Sequence, residues 1–116
     1  MKKICINLSL IALLITSTSS VANTPCLGTI NYLGLNDVGT VYVSLNTPTN
    51  ITTICNVVSK GSFAMSVDSC KLAYATLLST RMLGKRVTLW YQPDNLVCSS
   101  FPNWGVRYDA YFRHPS

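Results

Sequence analysis

The side chains in this 116-residue sequence best suited to chemistry are cysteines and a late group of aromatic residues. Trp90-Tyr91 ends a strand-like run, and Phe101, Trp104 and Tyr108 flank an irregular stretch, with Asn103 and Arg107 beside Trp104. Tryptophan and tyrosine join an apolar face to a polar edge, which suits sugar rings and protein partners alike. Asn103 and Arg107 add hydrogen-bond donors. Tyr42 joins them as a candidate, because in "TVYVSL" it lies on the side opposite Val41, Val43 and Leu45. The candidate ligand-binding residues are therefore Trp104, Arg107, Asn103 and Tyr42. Trp90 reads first as a core residue. Trp104 divides evenly between a plug for one end of a β domain and a ligand contact.

No catalytic constellation accompanies these residues. The aspartates are scattered, whereas glycoside hydrolysis needs two carboxylates flanking one bond. The single histidine, His114, sits in a terminal "RHPS", and no Gly-x-Ser-x-Gly precedes it. Phosphate-binding and dinucleotide-binding glycine motifs are missing. The expectation is a binding module rather than an enzyme, with no catalytic residues and no cofactor.

The first residues point to export. Lys2 and Lys3 precede an apolar run from Ile4 to Ile15, followed by the small-residue stretch "TSTSSVA". These are the regions of a secretory signal peptide, with cleavage expected after Ala22. The apolar run is shorter than the ~20 residues that span a bilayer. Residues 23–116 then form one domain, secreted or periplasmic, with no membrane span.

Cys26, Cys55, Cys70 and Cys98 remain after removal of the leader. An even count in a short exported chain reads as two disulfides. A zinc site is disfavoured, because there is no CxxC pair and the one histidine lies near the end. Cys70 opens an apolar helical face and Cys55 lies in a strand. The favoured pairing is Cys26–Cys70 with Cys55–Cys98, among the three connectivities that four cysteines allow. The charged residues after the leader leave a modest positive balance. Arg81, Lys85 and Arg86 read as a cationic helix end rather than a nucleic-acid stripe.

The elements that must position these residues follow from periodicity. Two strands lie in "CLGTINYLGLNDVGTVYVSLN", turned by Asn36-Asp37-Val38-Gly39, and a third spans Ile51 to Val58. A helix follows, capped by Ser66 or Asp68, with Cys70, Ala73, Tyr74, Leu77 and Leu78 on one face and Gly84 as its stop. Arg86–Tyr91 alternates again, and Val106–Phe112 forms a last strand. The fold class is mostly β with one α-helix, in the order β-β-β-α-β-β. That is the layout of a small oligonucleotide/oligosaccharide-binding (OB) barrel, whose helix lies between its third and fourth strands.

The strands "GTINYLGL" and "GTVYVSL", the cysteine strand "ICNVVSKGSF", the helix and strand "CKLAYATLLSTRMLGKRVTLWY" and the cysteine after it resemble B-subunits of bacterial AB5 toxins. Those of subtilase cytotoxin and pertussis-like toxins are the nearest in layout. The resemblance covers most of residues 23–116 in layout and spacing. It implies host-glycan binding, a homopentamer around a helix-lined pore, and a catalytic A-subunit partner. No sugar-binding residue transfers position by position. The alternative is a periplasmic or secreted protein-binding or inhibitor domain without lectin activity.

Overall fold

The computed structural model describes residues 23–46 and 50–112. The expected leader, residues 1–22, and His114 lie outside the described residues. Alternating, β-branched segments form strands β1 (Thr24–Leu35), β2 (Thr40–Leu45), β3 (Thr52–Asn56) and β4 (Arg86–Tyr91). Two short strands close the order, β5 (Gly105–Val106) and β6 (Ala110–Tyr111). One helix, α1 (Val67–Met82), lies between β3 and β4. The protein is thus mostly β with one helix, and its six-stranded sheet runs β5-β3-β2-β1-β4-β6.

The sheet curls because β1 serves two neighbours in turn. Its first half pairs with β4, from Thr24 opposite Tyr91 to Thr29 opposite Arg86. Its second half pairs with β2, from Ile30 opposite Leu45 to Leu35 opposite Val41, with a register shift between Ile30 and Tyr32. Such a bulge bends a strand and raises its twist. The single last strand expected over Val106–Phe112 is instead two. β5 runs parallel to β3, and β6 runs antiparallel to β4, at opposite edges of the sheet. The Arg107–Asp109 link bridges the two edges. Arg107 N donates to Thr53 O at 2.9 Å, and Gln92 N donates to Asp109 O at 3.3 Å. An edge strand that alternates looks continuous in sequence even where it changes partner.

Helix α1 opens on Ser66, whose hydroxyl accepts from Ser69 N at 3.1 Å. This satisfies one free donor of the first turn. At the other end Gly84 adopts φ +67, a backbone that favours glycine, and its N–H donates to Arg81 O. Cys70, Ala73 and Leu77 are buried against the sheet. Leu78, expected on that face, is exposed instead, and Tyr74 is half-buried.

The core gathers Val41, Val43 and Leu45 from β2, Ile54 and Cys55 from β3, Val87, Leu89 and Tyr91 from β4, and Phe101. Two disulfides cross it, with a connectivity that corrects the expected one: Cys26–Cys98 and Cys55–Cys70. The expected pairing would tie Cys26, near the start of residues 23–116, to the start of the helix. Cys26 lies inside β1, opposite Leu89 of β4, and so beside the segment that leaves β4. The Thr24 hydroxyl donates to Pro93 O at 2.8 Å and accepts from Leu96 N at 3.1 Å, holding that segment against β1. Cys98 therefore arrives at Cys26, with a Cα–Cα distance of 5.9 Å. The first turn of α1 lies over β3, which sets Cys70 5.8 Å from Cys55 between Cα atoms.

Candidate functional site

An aromatic cluster stands on the outer face of β1, β2 and β3. Residues paired across a ladder share a face. Tyr32 is opposite Ser44, Gly34 opposite Tyr42, Tyr42 opposite Thr53, and Thr53 opposite Val106. This outer row faces away from Val41, Val43 and Leu45, as the alternation of β2 requires. The register shift between Val41 and Tyr42 gives β3 one extra residue. Ile54 and Cys55 are then both in the core, while Thr53 pairs with Tyr42 and is itself buried.

Tyr32 lies over Gly34. A Cβ at residue 34 would stand 2.9 Å from the Tyr32 hydroxyl and 3.0 and 3.2 Å from two of its ring carbons. The missing side chain at Gly34 is what lets the ring lie flat along the strand. Tyr42 is steadied by Asn36, whose amide nitrogen donates to the Tyr42 hydroxyl at 3.2 Å. The Asn36 side-chain oxygen in turn accepts from Val38 N and Thr40 N, shaping the turn between β1 and β2.

Trp104 completes the cluster from the loop before β5. Its N–H donates to Ile51 O at 2.6 Å, and the Asn103 side-chain oxygen accepts from Ile51 N at 3.2 Å. Asn50 Nδ2 also donates to Phe101 O at 2.6 Å. Residues 101–104 are thus tied to the start of β3 from both sides. Trp104 has φ +63, a left-handed backbone uncommon outside glycine and strained for a bulky residue. Its side chain remains 54% exposed. The indole meets Tyr42 at 5.5 Å between centroids and 73° between planes, and Tyr32 at 5.9 Å and 77°. Tyr32 lies along the sheet, so the indole stands upright beside it. The result is a corner of two aromatic surfaces nearly at right angles, with Asn103 and the exposed Val106 at its margin.

Among the expected site residues, the structure brings together Trp104, Tyr42 and Asn103. Arg107 does not join them. Its guanidinium pairs with both carboxylate oxygens of Asp109. Its Cζ lies 5.1 Å from the Phe101 ring and 5.7 Å from the Tyr91 ring, on the core side. Arg107 thereby covers the core where β5 passes to β6. Residues Val106–Asp109 line an open depression of about 310 Å³. Burial pushes the Tyr91 phenol well above its ordinary range; nearby Arg107 opposes this shift and Asp109 adds to it.

Trp90, expected in the core, is half-buried on the outer side of β4 and stacks on Tyr111 at 6.4 Å and 22°. The core phase of β4 is Val87, Leu89 and Tyr91, which leaves residue 90 outward. Tyr32 and Gly34 were not among the expected site residues. Their "Tyr-x-Gly" spacing on a strand was the available signal, since a glycine two residues on leaves room for a flat ring. The bulge that turns Tyr32 outward is not visible in the alternation.

No protein-family model matches the chain, and no curated protein or solved structure matches it either.

Proposed function

We propose that this protein is an exported binding module that recognises glycans through Tyr32, Tyr42, Trp104 and Asn103, in the manner of a toxin-type B-subunit. The observation that carries the reading is Trp104. Its left-handed backbone costs on the order of 1–3 kcal/mol. Burying a large apolar side chain would offset that cost, yet 54% of this residue faces solvent. Strain retained to hold an exposed ring upright fits a ligand contact better than a core plug. The signal-like start of the sequence supports export, and the two disulfides fit an oxidising compartment. No helix among the described residues is long and apolar enough to cross a membrane.

The test is a glycan panel probed with the purified oxidised protein and with Trp104→Asn. Asparagine tolerates the left-handed backbone. Loss of glycan binding with an unchanged circular dichroism spectrum supports the reading. Undiminished binding by Trp104→Asn defeats it.

A separate observation favours assembly. The solvent face of α1 carries Leu72, Leu78 and Met82, with Leu83 after it, 40–80% exposed. A helix apolar on both faces is normally covered on both. We propose that further copies cover it in a homo-oligomer, a pentamer in the toxin-like arrangement, able to carry a catalytic partner. Light scattering after size exclusion measures this directly. A monomer at micromolar concentration would favour the protein-binding or inhibitor alternative, since single weak sugar sites gain their strength from multivalency.

A further inference from the structure

Resting on the glycan reading of this site, we infer that its primary ligand is an uncharged sugar residue, laid with its C–H face on Trp104 and one edge over Tyr32 and Tyr42. The corner has the right form for a pyranose. A slab-shaped ring can stack on one aromatic surface while a second, turned by 73–77°, meets its edge. Both surfaces are apolar, and Val106, 45% exposed, lengthens the floor along the same outer row.

The hydrogen-bonding groups at the corner are neutral. The Tyr42 hydroxyl accepts from Asn36, which leaves its own hydrogen free to donate. The Asn103 side-chain oxygen is engaged by Ile51 N, which leaves its NH2 group as a pure donor on the residue next to Trp104. The Tyr32 hydroxyl ends over Gly34 and can donate or accept. Phenols and amides of this kind match sugar hydroxyls and ring oxygens. The cation nearest in sequence, Arg107, is turned toward the core rings. It is ion-paired with Asp109 and laid over Phe101 and Tyr91. Among the described residues shown to form the corner, a carboxylate or sulfate would lose water without gaining a charged partner, and a desolvated anion without one is costly. The corner therefore discriminates by the C–H faces and hydroxyl pattern of a sugar, not by its charge.

The experiment compares three forms of one oligosaccharide by titration calorimetry with the purified oxidised protein. They are a lactose-terminated glycan, the same glycan capped with sialic acid, and the methyl ester of that capped glycan, which separates charge from bulk. The neutral glycan should bind at least about tenfold more tightly than the acid. The ester should bind more tightly than the acid, and affinity for the neutral form should change little between low and high salt. Tyr42→Phe and Asn103→Ala should each weaken the neutral glycan several-fold. If the acid binds as well as its ester or better, with affinity falling as salt rises, the inference is overturned. The glycan reading survives that result provided Trp104→Asn abolishes binding. If no form binds and a panel finds no other sugar, the inference falls together with the reading on which it rests.

Discussion

Replacing Gly34 with alanine adds one methyl group beneath the aromatic corner and tests how the corner is held. The new carbon would stand 2.9–3.2 Å from three atoms of Tyr32. Ordinary carbon contacts lie at about 3.5–4.0 Å, so something must move by roughly half an ångström or more. The nearest atoms belong to the far end of a side chain, so the Tyr32 ring swings outward and the backbone stays. The ring then loses its edge-on packing against Trp104, worth ~0.5–1.5 kcal/mol. Alanine opposes that loss, because it is favoured over glycine within a strand by ~0.5–1 kcal/mol. In the parent protein the two effects largely offset each other, with a net change between ~0.5 kcal/mol of stabilisation and ~1 kcal/mol of destabilisation. In a Tyr32→Ala background only the gain remains, and Gly34→Ala should stabilise by ~0.5–1 kcal/mol. Guanidinium chloride unfolding of all four proteins, with disulfides intact, gives the coupling from a double-mutant cycle. The same effect of Gly34→Ala in both backgrounds would refute the arrangement of Tyr32 over Gly34 and its part in holding the corner. Glycan affinity should fall in the single variant even where its unfolding midpoint is unchanged.

Other outcomes follow from the same geometry. Peptide mapping under non-reducing conditions should recover Cys26 linked to Cys98 and Cys55 linked to Cys70; a Cys26–Cys70 peptide would contradict the fold near β1. The two bridges close loops of sequence separation 72 and 15. On chain entropy the first is worth about 4 kcal/mol and the second about 3 kcal/mol, which selective removal followed by denaturant titration can rank. Arg107→Ala should lower stability by about 1 kcal/mol through the lost ion pair and ring contacts, and leave glycan affinity unchanged; a large loss of affinity at unchanged stability would place Arg107 in the site after all. Burial raises the Tyr91 pKa in the folded state above the ordinary phenol value of 10.0. The folded form then holds a proton that the unfolded chain releases. Stability from this group is complete below about pH 10 and declines as pH rises beyond it. Ultraviolet titration should show one tyrosine ionising only with alkaline unfolding, and Tyr91→Phe should flatten that decline.

Much of the candidate site was half visible in the sequence. Trp104 and Asn103 stand out as an indole beside a hydrogen-bond donor in an irregular stretch, and Tyr42 stands out because it faces away from Val41 and Val43. Arg107 looked equally suitable, being three residues from Trp104. At β5 Val106 continues the row of Thr53 and Tyr42, while the Arg107 guanidinium turns to Asp109 and to the Phe101 and Tyr91 rings. Proximity along the chain says nothing about that division. In an unbroken strand Tyr32 and Ile30, two residues apart, would share a face. The bulge at Asn31 separates them, and a bulge depends on the partner strand as much as on its own residues.

By itself, the sequence determined what local forces decide. The period-2 pattern of β2 and β4, the turn at Asn36–Gly39, the Ser66 cap and the Gly84 stop each depend on a few neighbouring residues, and each forms where those residues place it. The mostly-β class with one helix, and the two disulfides as a count, follow from that local record. Tertiary structure alone decided which cysteine meets which, how β1 divides between β4 and β2, and how Val106–Phe112 splits across two edges. It also decided that Tyr32 meets Trp104 across 72 positions of chain. These are long-range pairings, chosen by which closure buries the core, and no short window of residues carries that information.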